Sequence, residues 1–381
     1  MSATPELPYW RLSGFYLVYF AGLGALMPYW GLYLSSLGFS AVEIGELIAV
    51  IMATKIVAPN IWGWLADRSG RHMQLIRITS LFSALCFAGV YVDSSYGWML
   101  FVMLVFSFFW NANLPQFEAN TLAYLGQDTH RYSGIRLWGS IGFILSVVVL
   151  GSVTEQYGSE WVPSTVLVLL ISVWALSLFT PQAASPEHHD GAGFLSVIRQ
   201  PTVIALFVVC FLLQASHGPY YAFYTLYMEV HHYSRSTIGL YWAVGVVAEI
   251  IVFMLMHRLM PRFGARNLLM WALLLSALRW LLIGVYVESH AIMLFAQTLH
   301  AASFGIYHAV AIHLVHGFFP GRLMGRGQAL YSSISFGAGG AVGSLVGGYL
   351  WDGAGAMWTY TFSSILCLIA AVITARMIHQ R

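Results

Sequence analysis

Charge is scarce in this 381-residue sequence: only 8% of the residues are Asp, Glu, Lys or Arg, and Lys55 is the only lysine. Because an ordinary soluble domain is about a quarter charged, this composition excludes a soluble protein. The three cysteines, Cys86, Cys210 and Cys367, lie in apolar runs, which excludes a disulfide framework. Hydrophobic residues make up 59% of the chain, which indicates a polytopic membrane protein.

Two further features are absent from the sequence. The polar lead at residues 1–8 runs into an apolar stretch that is too long for a signal peptide and has no cleavage site, so we expect no cleavable signal. No polar segment is long enough to form a soluble domain.

The apolar segments predict the fold. A membrane-spanning helix needs about 20 apolar residues. This length predicts twelve spans at 9–35, 41–65, 72–92, 96–124, 135–153, 161–179, 201–227, 237–259, 266–287, 291–319, 326–348 and 356–378. We therefore predict an all-α polytopic membrane protein with two six-helix halves, 1–180 and 200–381, joined by a polar linker at 181–199.

Basic residues predict the orientation of the chain. Fourteen arginines lie in loops and helix ends on one side of the predicted bundle, and Arg235 is the only basic residue on the other side. This asymmetry places the linker and both termini in the cytoplasm. We expect a monomer in the lipid bilayer of a bacterial-type inner membrane.

The two halves resemble each other in sequence. A shift of 194 residues aligns 63–76 with 257–270 at four identical positions. Such repeats place a substrate site at mid-membrane between the halves. The same shift aligns Lys55 with Glu249, so a cation and an anion would face one cavity.

Five charged residues lie within predicted spans: Lys55, Glu118, Arg136, Glu249 and Arg279. Each costs about 2.5 to 3.5 kcal/mol in a bilayer unless it is paired or hydrated. One interpretation is that two structural ion pairs, Glu118–Arg136 and Glu249–Arg279, accompany a lysine that reaches the membrane surface. Lys55 is too deep for that, which favours a transport site.

Polar side chains form stripes on two predicted helices. The stripes comprise Gln297, His300, Phe304 and His308 on the tenth helix and Gln214, His217, Tyr221 and Tyr224 on the seventh. Histidine titrates near physiological pH, so one beside Glu249 could load and release a proton. Neutral histidines that hydrogen-bond between helices are the alternative.

Glycine, proline and asparagine mark further positions. Asn111, Asn113 and Pro115 interrupt the fourth helix, which predicts that this helix lines a cavity. Glycines at 339, 343 and 347 form a small-residue seam in the eleventh helix. We expect the second helix to pack on that seam.

The segment Gly63-x-Leu65-Ala66-Asp67-Arg68-x-Gly70-Arg71 resembles the loop 2-3 signature of the major facilitator superfamily, with a degenerate copy at Arg262 and Gly264. The resemblance implies the major facilitator fold. It also implies a gating motif formed by Gly63, Asp67, Arg68, Gly70 and Arg71, in which Asp67 pairs near the start of the eleventh helix.

Within that superfamily, segments 135–144, 212–227, 236–253, 277–284 and 297–311 look like the phenylpropionic acid permease group. The chain is more distantly similar to lactose permease-type sugar/proton symporters. Glu118, Arg136, Glu249, Arg279 and His308 occupy positions that match charged or histidine residues of those symporters. Ala311 and Ile312 stand where that type has a further acid, so proton coupling would pass to Glu249 with His300 or His308.

These observations predict a secondary active transporter rather than an enzyme, with no cofactor, metal or nucleic acid. We expect proton-coupled uptake of a small aromatic carboxylate resembling 3-phenylpropionate. Lys55 or Arg279 would bind the anion, and Trp30, Tyr221 or Trp242 would contact the ring. An oligosaccharide or nucleoside/proton symporter is the nearer alternative. An intramembrane metal enzyme using His308, His313 and His316 is the farther one.

Overall fold

The computed structural model describes residues 7–126, 128–183 and 194–378, so most of the predicted linker lies outside the described residues. The described part is helical and contains no strand, which confirms the all-α prediction. Its twelve long helices, α1 to α12, are Tyr9–Ser36, Ala41–Ser69, His72–Tyr91, Tyr96–Leu125, Tyr132–Tyr157, Trp161–Phe179, Pro201–Val230, Arg235–Phe263, Ala265–Val285, His290–Phe318, Met324–Ala354 and Ala356–Met377. A short helix, Phe194–Ile198, precedes α7.

Eleven of these described helices are long and apolar enough to cross a membrane. The exception is α2, whose apolar segment carries Glu43, Glu46 and Lys55. Glu46 accepts hydrogen bonds from the hydroxyl groups of Tyr96 and Tyr349, at 2.5 and 3.0 Å. The helices α4 and α11 therefore provide hydrogen-bond partners for Glu46, and α2 has the length of a membrane span.

The ends of α2 follow from local sequence. Ser40 and Glu43 form a reciprocal capping box at its start, which satisfies backbone N–H groups of the first turn. Gly70 ends the helix in the left-handed conformation, with φ of 65°. The second glycine of the predicted gating motif is thus needed to end the helix.

The glycine seam of α11 packs on α7, which corrects the predicted partner. A Cβ atom at Gly343 would lie 2.1 Å from the carbonyl oxygen of Ala215, and one at Gly347 would lie 2.9 Å from Cγ of Pro219. The seam therefore allows backbone contact with α7. The helix α2 packs instead on another face of α11, where a Cβ at Gly340 would approach the side chain of Met52 within 3.4 Å.

Close contacts between α1–α6 and α7–α12 concentrate at the end of the bundle that carries residues 37–40, 158–160 and 231–235, here called the Arg235 end. A Cβ at Gly239 would lie 2.3 Å from the carbonyl oxygen of Val147. The Arg235 backbone N–H donates to Glu155 at 2.5 Å, and its guanidinium pairs with Glu229 at 2.6 Å. Arg235 therefore joins the two sets of helices at this end.

Candidate functional site

A buried arginine organises the polar residues of the last six helices. Nη1 of Arg279 donates to Ser303 Oγ at 2.9 Å, and Nη2 donates to Gln297 Oε1 at 3.2 Å. The Tyr220 ring lies 4.3 Å from the guanidinium carbon, within the range of a cation–π contact. Arg279 is therefore fully buried and held in place by residues of α7 and α10.

His300 lies between Arg279 and Glu249. Nη1 of Arg279 is 3.1 Å from His300 Nδ1, and a guanidinium can only donate, so Nδ1 accepts this hydrogen bond. The ring proton must then be on Nε2, which lies 3.3 Å from Glu249 Oε2. His300 is therefore neutral in this arrangement and links the cation to the acid, in place of a direct Glu249–Arg279 pair.

The charged residues of the first six helices form a looser pair. Arg136 Nε lies 4.0 Å from Glu118 Oε1, and their side chains are 31% and 28% exposed. The hydroxyl of Tyr132 donates to Glu118 at 3.2 Å, and the Phe20 ring lies 3.8 Å from the guanidinium carbon of Arg136. These contacts of Arg136 therefore lie within the first six helices.

Lys55 is half-buried in the middle of α2. It has no hydrogen-bond or ion-pair partner among the described residues. The backbone of α2 at this level packs on α11, because a Cβ at Gly337 would lie 3.5 Å from the carbonyl carbon of Lys55. The only lysine therefore lies beside α11 as an uncompensated cation.

The predicted stripe on α10 is a stack of rings. His300 and Phe304 stack at 5.5 Å between centroids, and Phe304 and His308 at 5.7 Å, both with 18° between the planes. Nδ1 of His308 hydrogen-bonds to the hydroxyl of Tyr331 at 2.9 Å. The structure thus places His300, and not His308, at Glu249.

The predicted residues on α7 are mostly buried. His217 is fully buried and its Nδ1 bonds to the carbonyl oxygen of Leu213 at 2.8 Å. Gln214 is also buried and lies against Gly339. Only Tyr221 keeps a partly exposed ring.

The two predicted tryptophans lie inside the protein. Trp242 packs on Tyr220 at 4.4 Å and donates from Nε1 to Thr225 at 3.2 Å. Trp30 is 1% exposed and packs on Phe87 at 5.4 Å. Both rings therefore contribute to packing in this state.

The gating-motif residues lie at the end of α2. Asp67 Oδ1 is 4.0 Å from His72 Nε2 on α3, and the Arg68 guanidinium lies 5.5 Å from the Trp64 ring. The remaining motif residues are Gly63, which packs near Gln116, the helix-ending Gly70, and the exposed Arg71.

The asparagines of α4 join helices, which differs from their predicted role in lining a cavity. Asn111 donates to Thr54 Oγ1 at 2.8 Å, and Asn113 accepts from Thr79 at 2.5 Å. Both side chains are buried, at 5% and 0% exposure. They therefore fix α4 against α2 and α3.

Sequence reasoning missed the contacts of three residues, two at the Arg235 end and one at the level of Lys55. The carboxylates of Glu155 and Glu46 bind residues of the opposite set of helices, and Phe336 faces Phe304 at 6.0 Å. The contact between Arg235 and Glu155 could have been suspected, because Arg235 is the only basic residue on its predicted side.

Comparison with known proteins gives consistent matches over the whole chain. A family described as "MFS_1 like family" matches residues 9–362. The "Probable 3-phenylpropionic acid transporter" of Escherichia coli (strain K12) is 27% identical over 92% of this chain and 93% of its own length. "Maltose permease" of Geobacillus stearothermophilus is 26% identical over 96% and 93%. The solved structure of "nucleoside transporter NupG" has a TM-score of 0.84 at 15% identity, covering 98% of this chain and 99% of that chain.

Proposed function

This chain belongs to the MFS_1 like family, and we propose that it is a proton-coupled carrier that imports a small aromatic carboxylate, of the 3-phenylpropionate type, by alternating access. The family and the relatives are transporters. The alternative of an intramembrane metal enzyme is therefore wrong. The finer proposal concerns the substrate, the coupling ion and the residues that bind them.

Lys55 is the observation that carries the proposal. A cation at mid-membrane is retained where it is paired or hydrated, and Lys55 has no partner among the described residues. An anionic substrate would supply the missing charge. The match to a protein named as a 3-phenylpropionic acid transporter supports a carboxylate with an aromatic ring.

Glu249 is the proposed proton acceptor. His300 is occupied at Nδ1 by Arg279, so a second ring proton would place two donors against each other. Glu249 has no such restriction. A carboxylate substrate at Lys55 and an ionised Glu249 would repel each other in a medium of low dielectric, and a proton on Glu249 removes that repulsion. Proton and substrate would therefore bind together.

The Arg235 end supplies the proposed gate. With the orientation that the arginines predict, this end faces outward, and the state described here is closed to the outside. Opening it requires the contacts of Arg235 with Glu155 and of Glu46 with Tyr349 to separate. The loop of the gating motif would then close the opposite end.

The test is uptake of labelled 3-phenylpropionate by proteoliposomes containing the wild-type protein, Lys55→Met or Lys55→Arg. Methionine keeps the length of the side chain and removes its charge, so we expect Lys55→Met to lose uptake. The matched control, Lys55→Arg, keeps the charge and should retain part of the rate. Uptake by Lys55→Met at the wild-type rate would remove the lysine from the mechanism.

A symporter of sugars or nucleosides is the second candidate. It is favoured by the matches to proteins named as a maltose permease and a nucleoside transporter. This candidate predicts uptake of labelled maltose or uridine that does not change in Lys55→Met. Uptake of the aromatic acid alone would exclude it.

A further inference from the structure

Two irregular turns of neighbouring helices each present a phenylalanine. Ala301–Ile306 of α10 and Ser333–Gly339 of α11 are π-helical. Such turns are uncommon and occur frequently at functional sites. Phe304 and Phe336 lie within them, their ring centroids are 6.0 Å apart, and the planes meet at 50°.

These two rings are more accessible than the aromatic residues that the sequence suggested. Phe304 and Phe336 are half-buried. Trp30 and Trp242 are only 1% and 4% exposed. A substrate ring could therefore reach the phenylalanines without unpacking the protein core.

The phenylalanine pair lies at the level of the unpaired lysine. Phe336 directly precedes Gly337, at which a Cβ atom would lie 3.2 Å from the backbone nitrogen of Ile56 and 3.5 Å from the carbonyl carbon of Lys55. The π-helical turn of α11 thus packs on α2 where Lys55 lies. An aromatic surface and a cation therefore lie at the same level of neighbouring helices, and an aromatic carboxylate needs both.

We propose that Phe304 and Phe336 form the subsite for the aromatic ring of the substrate, with His308 at its edge. The ring of His308 lies 5.7 Å from Phe304 and 5.9 Å from Phe336. These residues set the preference for an aromatic acid over a saturated acid of the same length and charge. The inference rests on the proposed function and specifies its substrate class.

The subsite is also continuous with the proposed proton site. Phe304 stacks on His300 at 5.5 Å, and His300 lies 3.3 Å from Glu249. A substrate ring that contacts Phe304 therefore contacts a side chain that packs directly on His300. Occupancy of the subsite is thus linked to Glu249, the proposed proton acceptor, through the Phe304–His300 and His300–Glu249 contacts.

The experiment compares Phe304→Leu and Phe336→Leu with the wild-type protein in proteoliposomes. Leucine keeps an apolar side chain and removes the ring. Unlabelled 3-phenylpropionate and 3-cyclohexylpropionate compete with uptake of labelled 3-phenylpropionate, and the ratio of their half-inhibitory concentrations gives the aromatic preference. We expect each variant to lower that preference by about tenfold, as loss of one good aromatic contact implies.

Two controls separate ring recognition from general damage. Phe295→Leu changes an exposed phenylalanine on the same helix and should keep the wild-type preference. Phe336→Tyr keeps an aromatic ring and should also keep the wild-type preference. If either leucine variant does not assemble in the membrane, Phe304→Met and Phe336→Met provide the same comparison with an unbranched apolar side chain.

The outcomes distinguish this inference from the proposed function. If the Phe304 and Phe336 variants keep the wild-type preference, the proposed subsite is overturned and the carrier function is left intact. A wild-type protein that takes up no aromatic acid would overturn both. Loss of preference in these variants, but not in Phe295→Leu, would support the subsite.

Discussion

The first and last six helices each carry an acid and an arginine inside the membrane, but the two pairs are built differently. Glu118 and Arg136 are 4.0 Å apart and about one-third exposed. Glu249 and Arg279 are joined through His300, and Arg279 is fully buried. One pair is thus a loose, partly exposed contact, whereas the other is part of a fixed hydrogen-bond network.

The difference indicates where a proton can act. Protonation of Glu118 would break a loose, partly exposed ion pair, and such pairs contribute little to stability. Protonation of Glu249 would change the charge at the end of a buried chain in which His300 and Arg279 have fixed donor and acceptor roles. We therefore assign coupling to the second network, and the following predictions compare it with the first pair.

The largest effect is expected for Glu249→Gln. Glutamine keeps the shape and an acceptor for His300, but it takes up no proton. Accumulation of labelled 3-phenylpropionate driven by a pH gradient should fall by at least about tenfold, which corresponds to about 1.4 kcal/mol. Exchange of internal for external substrate, which needs no net proton movement, should continue.

Glu118→Gln is the matched control for that variant. We expect it to keep most of the accumulation driven by a pH gradient. Equal losses in both variants would contradict the assignment of coupling to Glu249.

A large effect on stability is expected for His300→Leu. The change leaves the buried Arg279 without one of its acceptors, and breaking a buried charged network costs about 3 to 5 kcal/mol. The midpoint of thermal unfolding in detergent should fall clearly. His308→Leu, which removes a neutral hydrogen bond to Tyr331, should lower it less; the reverse order would contradict the network described here.

The smallest effect is expected for Arg136→Gln. Its partner is 4.0 Å away and both side chains are partly exposed, so the pair contributes about 1 kcal/mol or less to stability. Thermal unfolding of this variant should stay close to that of the wild-type protein. A loss as large as that of His300→Leu would show that the two regions are equivalent after all.

Much of the fold could be predicted because lipid imposes simple requirements on sequence. Apolar runs of about 20 residues mark spans, and the helices begin and end near the predicted bounds. The ring stack on α10 also follows from the four-residue spacing of His300, Phe304 and His308. These features depend on one helix at a time.

The remaining features depend on contacts between distant segments. Arg235 binds Glu155 across 80 residues of chain, and the glycine seam of α11 meets α7 rather than α2. Phe336 was missed because its contact with Phe304 joins α11 to α10, and no pattern within α11 marks it.

The most direct test of a proton-coupled aromatic-acid carrier is accumulation by proteoliposomes containing the wild-type protein. Labelled 3-phenylpropionate, maltose and uridine are compared with and without an imposed pH gradient. Protein-free liposomes and Lys55→Met correct for diffusion of the uncharged acid. We predict that only 3-phenylpropionate accumulates above these controls, and that the pH gradient increases its accumulation. Accumulation of maltose or uridine without any of the aromatic acid would contradict the account.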